Sequence, residues 1–129
     1  MKLSLRRKFL AITLFTLIGL FSQFSVADNA SATKTIAGIL ASLNHFPSDD
    51  DKTALMAIAE DDGTGRAFRA LASAIGKIQH SATVEDKDIM NRIIASDRAA
   101  ADAKVLAEIV LDLTHTASDK AKATLQSML

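Results

Sequence analysis

The chain of 129 residues has no cysteine, no tryptophan and no tyrosine, one proline and five glycines. Without cysteine there is no disulfide, no thiolate metal site, no cysteine nucleophile and no lipid-modified N-terminal cysteine. Aromatics are scarce as well: beyond residue 27 only Phe46 and Phe68 remain, too few to build platforms on which bases or sugars stack. Acidic residues are missing from the N-terminus. Four of the 15 basic residues (Lys2, Arg6, Arg7 and Lys8) fall in residues 1–27, so residues 28–129 keep 11 basic against 15 acidic groups, a net charge of −4. An acidic body lacks the basic footprint of a phosphate-tracking surface, and nucleic acid is not an expected partner. The chain also lacks a phosphate-binding glycine loop, a G-x-S-x-G turn and an H-E-x-x-H helix. It is therefore read as a non-enzyme, with no cofactor expected.

What is present divides the chain in two. Met1–Lys8 is basic, Phe9–Phe21 is an apolar run, and Ser22–Ala27 is short and mostly polar, the three-part layout of a secretory signal peptide. Ser25 and Ala27 place small residues for cleavage before Asp28, and Ala30 and Ala32 do so again before Thr33; the first site is preferred. Thirteen helical residues reach about 20 Å, short of a hydrocarbon core of about 30 Å, so the membrane is a partner only if this segment is retained. Arg6-Arg7-Lys8-Phe9-Leu10 resembles the twin-arginine export signal. Leu5 stands where that signal usually has Ser or Thr, so general secretion is expected, and a periplasmic or secreted location with it.

The remaining 102 residues carry three histidines, His45, His80 and His115, spaced 35 apart. Aligned at that offset, residues 36–59 and 106–129 share eight of 24 identities, and the copy beginning at Leu71 keeps Ala72, Ile75, Ile78, His80, Thr83, Asp86 and Lys87 in register. A fixed period of this size marks a repeat architecture, and units of about 36–70, 71–105 and 106–129 are expected. The period is near that of tetratricopeptide repeats, but their aromatic and glycine pattern is absent.

Each unit reads as a helical hairpin. Ile36, Ile39, Leu40 and Leu43 lie at helical spacing, as do Phe68, Leu71, Ile75 and Ile78, and Leu106, Ile109, Val110 and Leu113. A turn at each histidine ends that helix, and Ser48, Thr83 and Ser118 are placed to cap the next. Between Val84 and Leu113 the stripe of Ile89 and Ile93 runs off the Leu106–Leu113 face, which predicts a break near Ser96. The expected body is all-α, six short helices in three hairpins, arranged as a solenoid-like stack or a closed bundle. Of its 102 residues, 26 are Leu, Ile, Val, Met or Phe and 21 are alanine, so the core is thin and self-association is expected.

Histidine is the sharpest chemical candidate, since neutral imidazole ligates zinc, copper and nickel. In a regular stack, helix spacings of about 8–10 Å separate successive imidazoles, whereas ligands of one ion sit about 2 Å from it. His45, His80 and His115 are therefore expected to be structural, ending their helices, with a metal site as the minority reading. Asp49–Asp51 and Glu60–Asp62 lack the ligand spacing of a calcium loop and read as helix-end charge. Lys52, Lys87 and Lys122 read as exposed helix residues, and Met56, Met90 and Met128 as gap fillers. The leading expectation is an exported helical-repeat module that binds an unknown protein or itself. The alternatives are a metal- or pH-responsive protein using the histidines and a carrier of a small apolar ligand.

Overall fold

The structure, a computed structural model, describes residues 28–129; the export segment expected at 1–27 lies outside the described residues. Those residues are all-helical, in six helices: α1 (28–42), α2 (Asp49–Glu60), α3 (Arg66–Gly76), α4 (Val84–Ala95), α5 (Ala101–Asp112) and α6 (Asp119–Gln126). None of the six is long and apolar enough to cross a membrane.

Short polar side chains set three of the helix starts. Ser48 Oγ accepts from Asp51 N at 3.1 Å, Thr83 Oγ1 from Asp86 N at 3.2 Å and Ser118 Oγ from Ala121 N at 3.2 Å, each satisfying a first-turn N–H that has no partner inside its own helix. Asp51 Oδ2 returns the bond to Ser48 N at 3.2 Å, completing a capping box. Helix α3 begins differently. Its N-cap Gly65 has no side chain to offer, and Asn29 of α1 supplies the acceptor, Oδ1 lying 2.7 Å from Gly65 N. A Cβ on residue 65 would stand 3.0 Å from that oxygen, so glycine permits the approach.

Burial follows the apolar stripes and recurs every 35 residues. Ile36, Leu71 and Leu106 are buried, as are Leu40, Ile75 and Val110, then Leu43, Ile78 and Leu113, then Leu55, Met90 and Leu125. They belong to one core cluster, filled out by small residues such as Ala37, Ala72 and Ala107, which let the helices approach closely. Ser96 ends α4 and Ala100 opens α5, so Val84–Leu113 is two helices.

The pairing of helices differs from the expected hairpins. Close lengthwise packing joins α2 to α3 and α4 to α5, across the turns Asp61–Gly65 and Ser96–Ala100, whereas α3 and α4 touch more lightly. At the other end of the chain, Leu129 comes within 3.8 Å of where a Cβ on Gly38 would stand, so the end of the chain lies against α1. The tight turns are therefore those between the histidines. The corners at the histidines, each with a residue of positive φ, join one tightly packed pair of helices to the next.

Candidate metal centre

The site begins with an unusual backbone. His45, His80 and His115 have φ of 70°, 74° and 64°, and they are the non-glycine residues of positive φ among the described residues. At two of these corners a hydrogen bond spans the histidine, from Phe46 N to Asn44 O at 2.9 Å and from Thr116 N to Thr114 O at 2.7 Å, which makes each a γ-turn of the strained, positive-φ kind. A residue with a Cβ costs about 1–2 kcal/mol in left-handed backbone, and glycine is the usual occupant. Histidine occupies all three places.

The three corners converge. His45 N–H donates to the carbonyl of His115 at 2.7 Å, His80 N–H to that of His45 at 2.7 Å, and His115 N–H to that of His80 at 2.6 Å. Each residue gives one bond and accepts one, so the ring closes on itself and holds three segments, 35 residues apart in sequence, at one point.

Above this ring the imidazoles face one another. Their centroids are 5.3 Å apart for His45 and His80, 5.0 Å for His45 and His115, and 5.0 Å for His80 and His115, with interplanar angles of 80–83°. All three are exposed, and one ring nitrogen from each lies within 4.8 Å of the other two. An ion centred in a triangle of that side would stand about 2.8 Å from each nitrogen, against about 2.0–2.1 Å for zinc and imidazole. The rings need to close by less than about 1 Å each, a small torsional change for exposed side chains. Asn44 assists: its Oδ1 lies 2.6 Å from His45 Nδ1. In the tautomer that carries the proton on Nδ1, that oxygen accepts from it and fixes the ring's orientation, the kind of outer-shell contact common at metal-binding histidines.

The separation expected of stacked histidines is thus overturned. A linear stack spreads equivalent corners along an edge, but here the corners meet head to head and each bonds to both others. A turn does stand at each histidine, three or four residues beyond the end of the preceding helix, while Lys77 and Leu113 serve as C-caps. The hydroxyls of Ser48, Thr83 and Ser118 lie three residues beyond the histidines and orient the helices leaving the site.

Three acidic groups away from the histidines, Asp61, Asp62 and Asp86, have local partners. Asp61 accepts from Thr64 Oγ1 at 2.6 Å and from Gly63 N at 3.0 Å, while Asp62 pairs with Arg69 at 3.0 Å. The Thr64 hydroxyl, then the Gly63 N–H and the nearby Arg69 charge, hold the Asp61 carboxyl below its ordinary value of 3.8. Asp86 is 2% exposed and receives Thr83 Oγ1 at 2.9 Å and Lys77 Nζ at 3.0 Å. Sequence reasoning passed over Asn44, whose only signal was its place beside a histidine. It also passed over a cavity between α3 and α4 lined by Arg66, Arg92 and Arg98. Comparison with protein-family models, with curated proteins and with solved structures finds no match for this chain.

Proposed function

We propose that this is an exported, non-catalytic metal-binding protein, built from three 35-residue helical units closed about a common axis, in which His45, His80 and His115 ligate one divalent ion of the zinc class. The observation that carries the reading is the conjunction of strain and convergence: three left-handed histidines, tied by a closed ring of backbone hydrogen bonds, with ligating atoms within 4.8 Å. If the corner needed only a turn, glycine would make it at lower cost. Strain retained at a cluster of ligating side chains is a common mark of a working site.

The donor set narrows the ion. Three neutral nitrogens suit zinc, copper or nickel rather than calcium or magnesium, which prefer oxygen. His45, His80 and His115 would supply three of the four ligands of a tetrahedral ion and leave one position open, an arrangement that zinc accepts and square-planar copper does not. Water, or a donor from a binding partner or a second copy of the chain, would complete the coordination. The basic and apolar N-terminal pattern supports export, and a cysteine-free nitrogen site is indifferent to an oxidising compartment.

Isothermal titration of chelator-treated protein with zinc at neutral pH tests the proposal. One ion per chain is expected, with the heat lost in His80→Ala while helix content is retained. Acidification releases the ion, because protonated imidazole has no lone pair to offer. The absence of zinc, cobalt, nickel and copper binding, or equal binding by a variant lacking all three imidazoles, would overturn it.

A further inference from the structure

A second feature lies at the opposite end of α3. A cavity of about 590 Å³ opens between the start of α3, the end of α4 and the turn into α5, within the about 300–1,000 Å³ typical of small-molecule sites. Phe68 and Ile93 are buried in its wall and Ile89 is half-buried. Around this apolar lining stand Arg66, Arg92 and Arg98, all exposed. Residues 28–129 contain four arginines. The fourth, Arg69, is paired with Asp62, whereas none of the three guanidinium groups at the cavity takes part in an ion pair or hydrogen bond among the described residues; Arg98 bonds through its backbone N–H alone, to Ser96 Oγ at 3.2 Å.

The arginines are also local to this slot. Ser31, Ala57 and Gly63 stand 35 residues before Arg66, Arg92 and Arg98. The corresponding slot between α1 and α2 is smaller, about 260 Å³, and is lined by Asp28 and Asp61 with no arginine. One of two similar slots is thus enlarged and given three unpaired positive charges, in a body whose net charge is −4. Guanidinium groups bind carboxylate and phosphate through paired N–H donors. Apolar walls below them accept a hydrocarbon tail.

We propose that this cavity binds a free single-chain amphiphile, an aliphatic tail with one carboxylate or phosphate head, the tail against Phe68, Ile89 and Ile93 and the head among Arg66, Arg92 and Arg98. The site is independent of the histidine centre. Helix α3 separates them by about 15 Å, at about 1.5 Å for each of its residues.

The test is titration of the full exported chain with decanoate and decyl phosphate below their micelle concentrations, beside decanol, inorganic phosphate and vesicles of phosphatidylglycerol. Saturable binding of one decanoate or decyl phosphate per chain is expected. Decanol should bind at least about tenfold more weakly, and the double variant Arg92→Gln/Arg98→Gln should lose about tenfold or more in affinity for decanoate, the usual scale for hydrogen bonds to a charged group. Unchanged helix content and unchanged zinc binding identify that variant as folded, and if it proves unstable, Arg66→Gln alone carries the same comparison. Three results overturn the proposal: equal binding of decanol and decanoate, inorganic phosphate binding as tightly as decyl phosphate, or vesicle binding without any binding of the free amphiphiles. So does failure of every ligand to bind.

Discussion

Replacing His80 by glycine and by alanine separates what the imidazole does from what its backbone costs. His80 sits at φ 74°, where a Cβ costs about 1–2 kcal/mol. Glycine removes that strain, but its unfolded chain is freer by about 0.5–1 kcal/mol. Either variant also forfeits two edge contacts, to His45 and His115 at centroid distances of 5.3 and 5.0 Å, each taken as about 0.5 kcal/mol because the rings are exposed. In chelator, His80→Gly should therefore lie within about 0.5 kcal/mol of the parent protein. His80→Ala keeps the strain while losing the contacts and should fall about 1 kcal/mol lower, a loss of about 4–8 °C in Tm for a domain of this size. Zinc then divides them from the parent: an ion at one hundred times its Kd adds about 2.7 kcal/mol to a protein that binds it, and neither variant should gain it. The assay is thermal unfolding followed by circular dichroism, with chelator and with zinc. A loss of 2 kcal/mol or more in His80→Gly under chelator would show that the imidazoles are structural, and the strain argument for a metal site would fail.

Other substitutions probe the frame that holds the centre. Thr83→Ala removes a helix cap and one partner of the buried Asp86 carboxylate, so it should cost about 2 kcal/mol, against about 1 kcal/mol for Ser118→Ala, whose hydroxyl caps alone; urea unfolding compares them. Leu125→Ala empties a fully buried position in the last helix and should cost about 2–4 kcal/mol in the same assay, while Met56→Ala, at an exposed position, should be nearly silent. Asp61 has a folded pKa below its unfolded value. Its contribution is present above that unfolded value and fades as pH falls through the folded one, so Asp61→Asn should lose stability at neutral pH, converge with the parent in acid and thereby flatten the acid limb of the stability profile measured by urea unfolding.

Helix identity and helix starts were legible because their signals are local. Ser48, Thr83 and Ser118 stand before acidic first turns or fresh apolar stripes, and the loss of phase between Ile93 and Leu106 located the break at Ser96. Periodicity fixes which face of a helix is buried, but not how one pair of helices sits on the next. For that reason the sequence allowed both a row of units and a closed arrangement, and the distance between His45 and His115 depends on that choice. The left-handed corners were hidden for a related reason, since glycine is the usual signal for positive φ and none occurs there. A faint signal existed: Asn44, Gln79 and Thr114 differ from one another, as do Phe46, Ser81 and Thr116, around histidines that do not change. Arg66, Arg92 and Arg98 gave no comparable signal, because they come together only once α3 and α4 flank the slot.

The central claim is that three imidazoles hold one ion in a facial tripod with an open fourth position, and cobalt(II) reads both the count and the geometry in its visible spectrum. Titration of the metal-free protein should produce the intense absorption of a four-coordinate cobalt site, saturating at one equivalent and absent from His45→Ala, His80→Ala and His115→Ala alike. A weak, octahedral spectrum that is the same in the parent and in all three variants would contradict it.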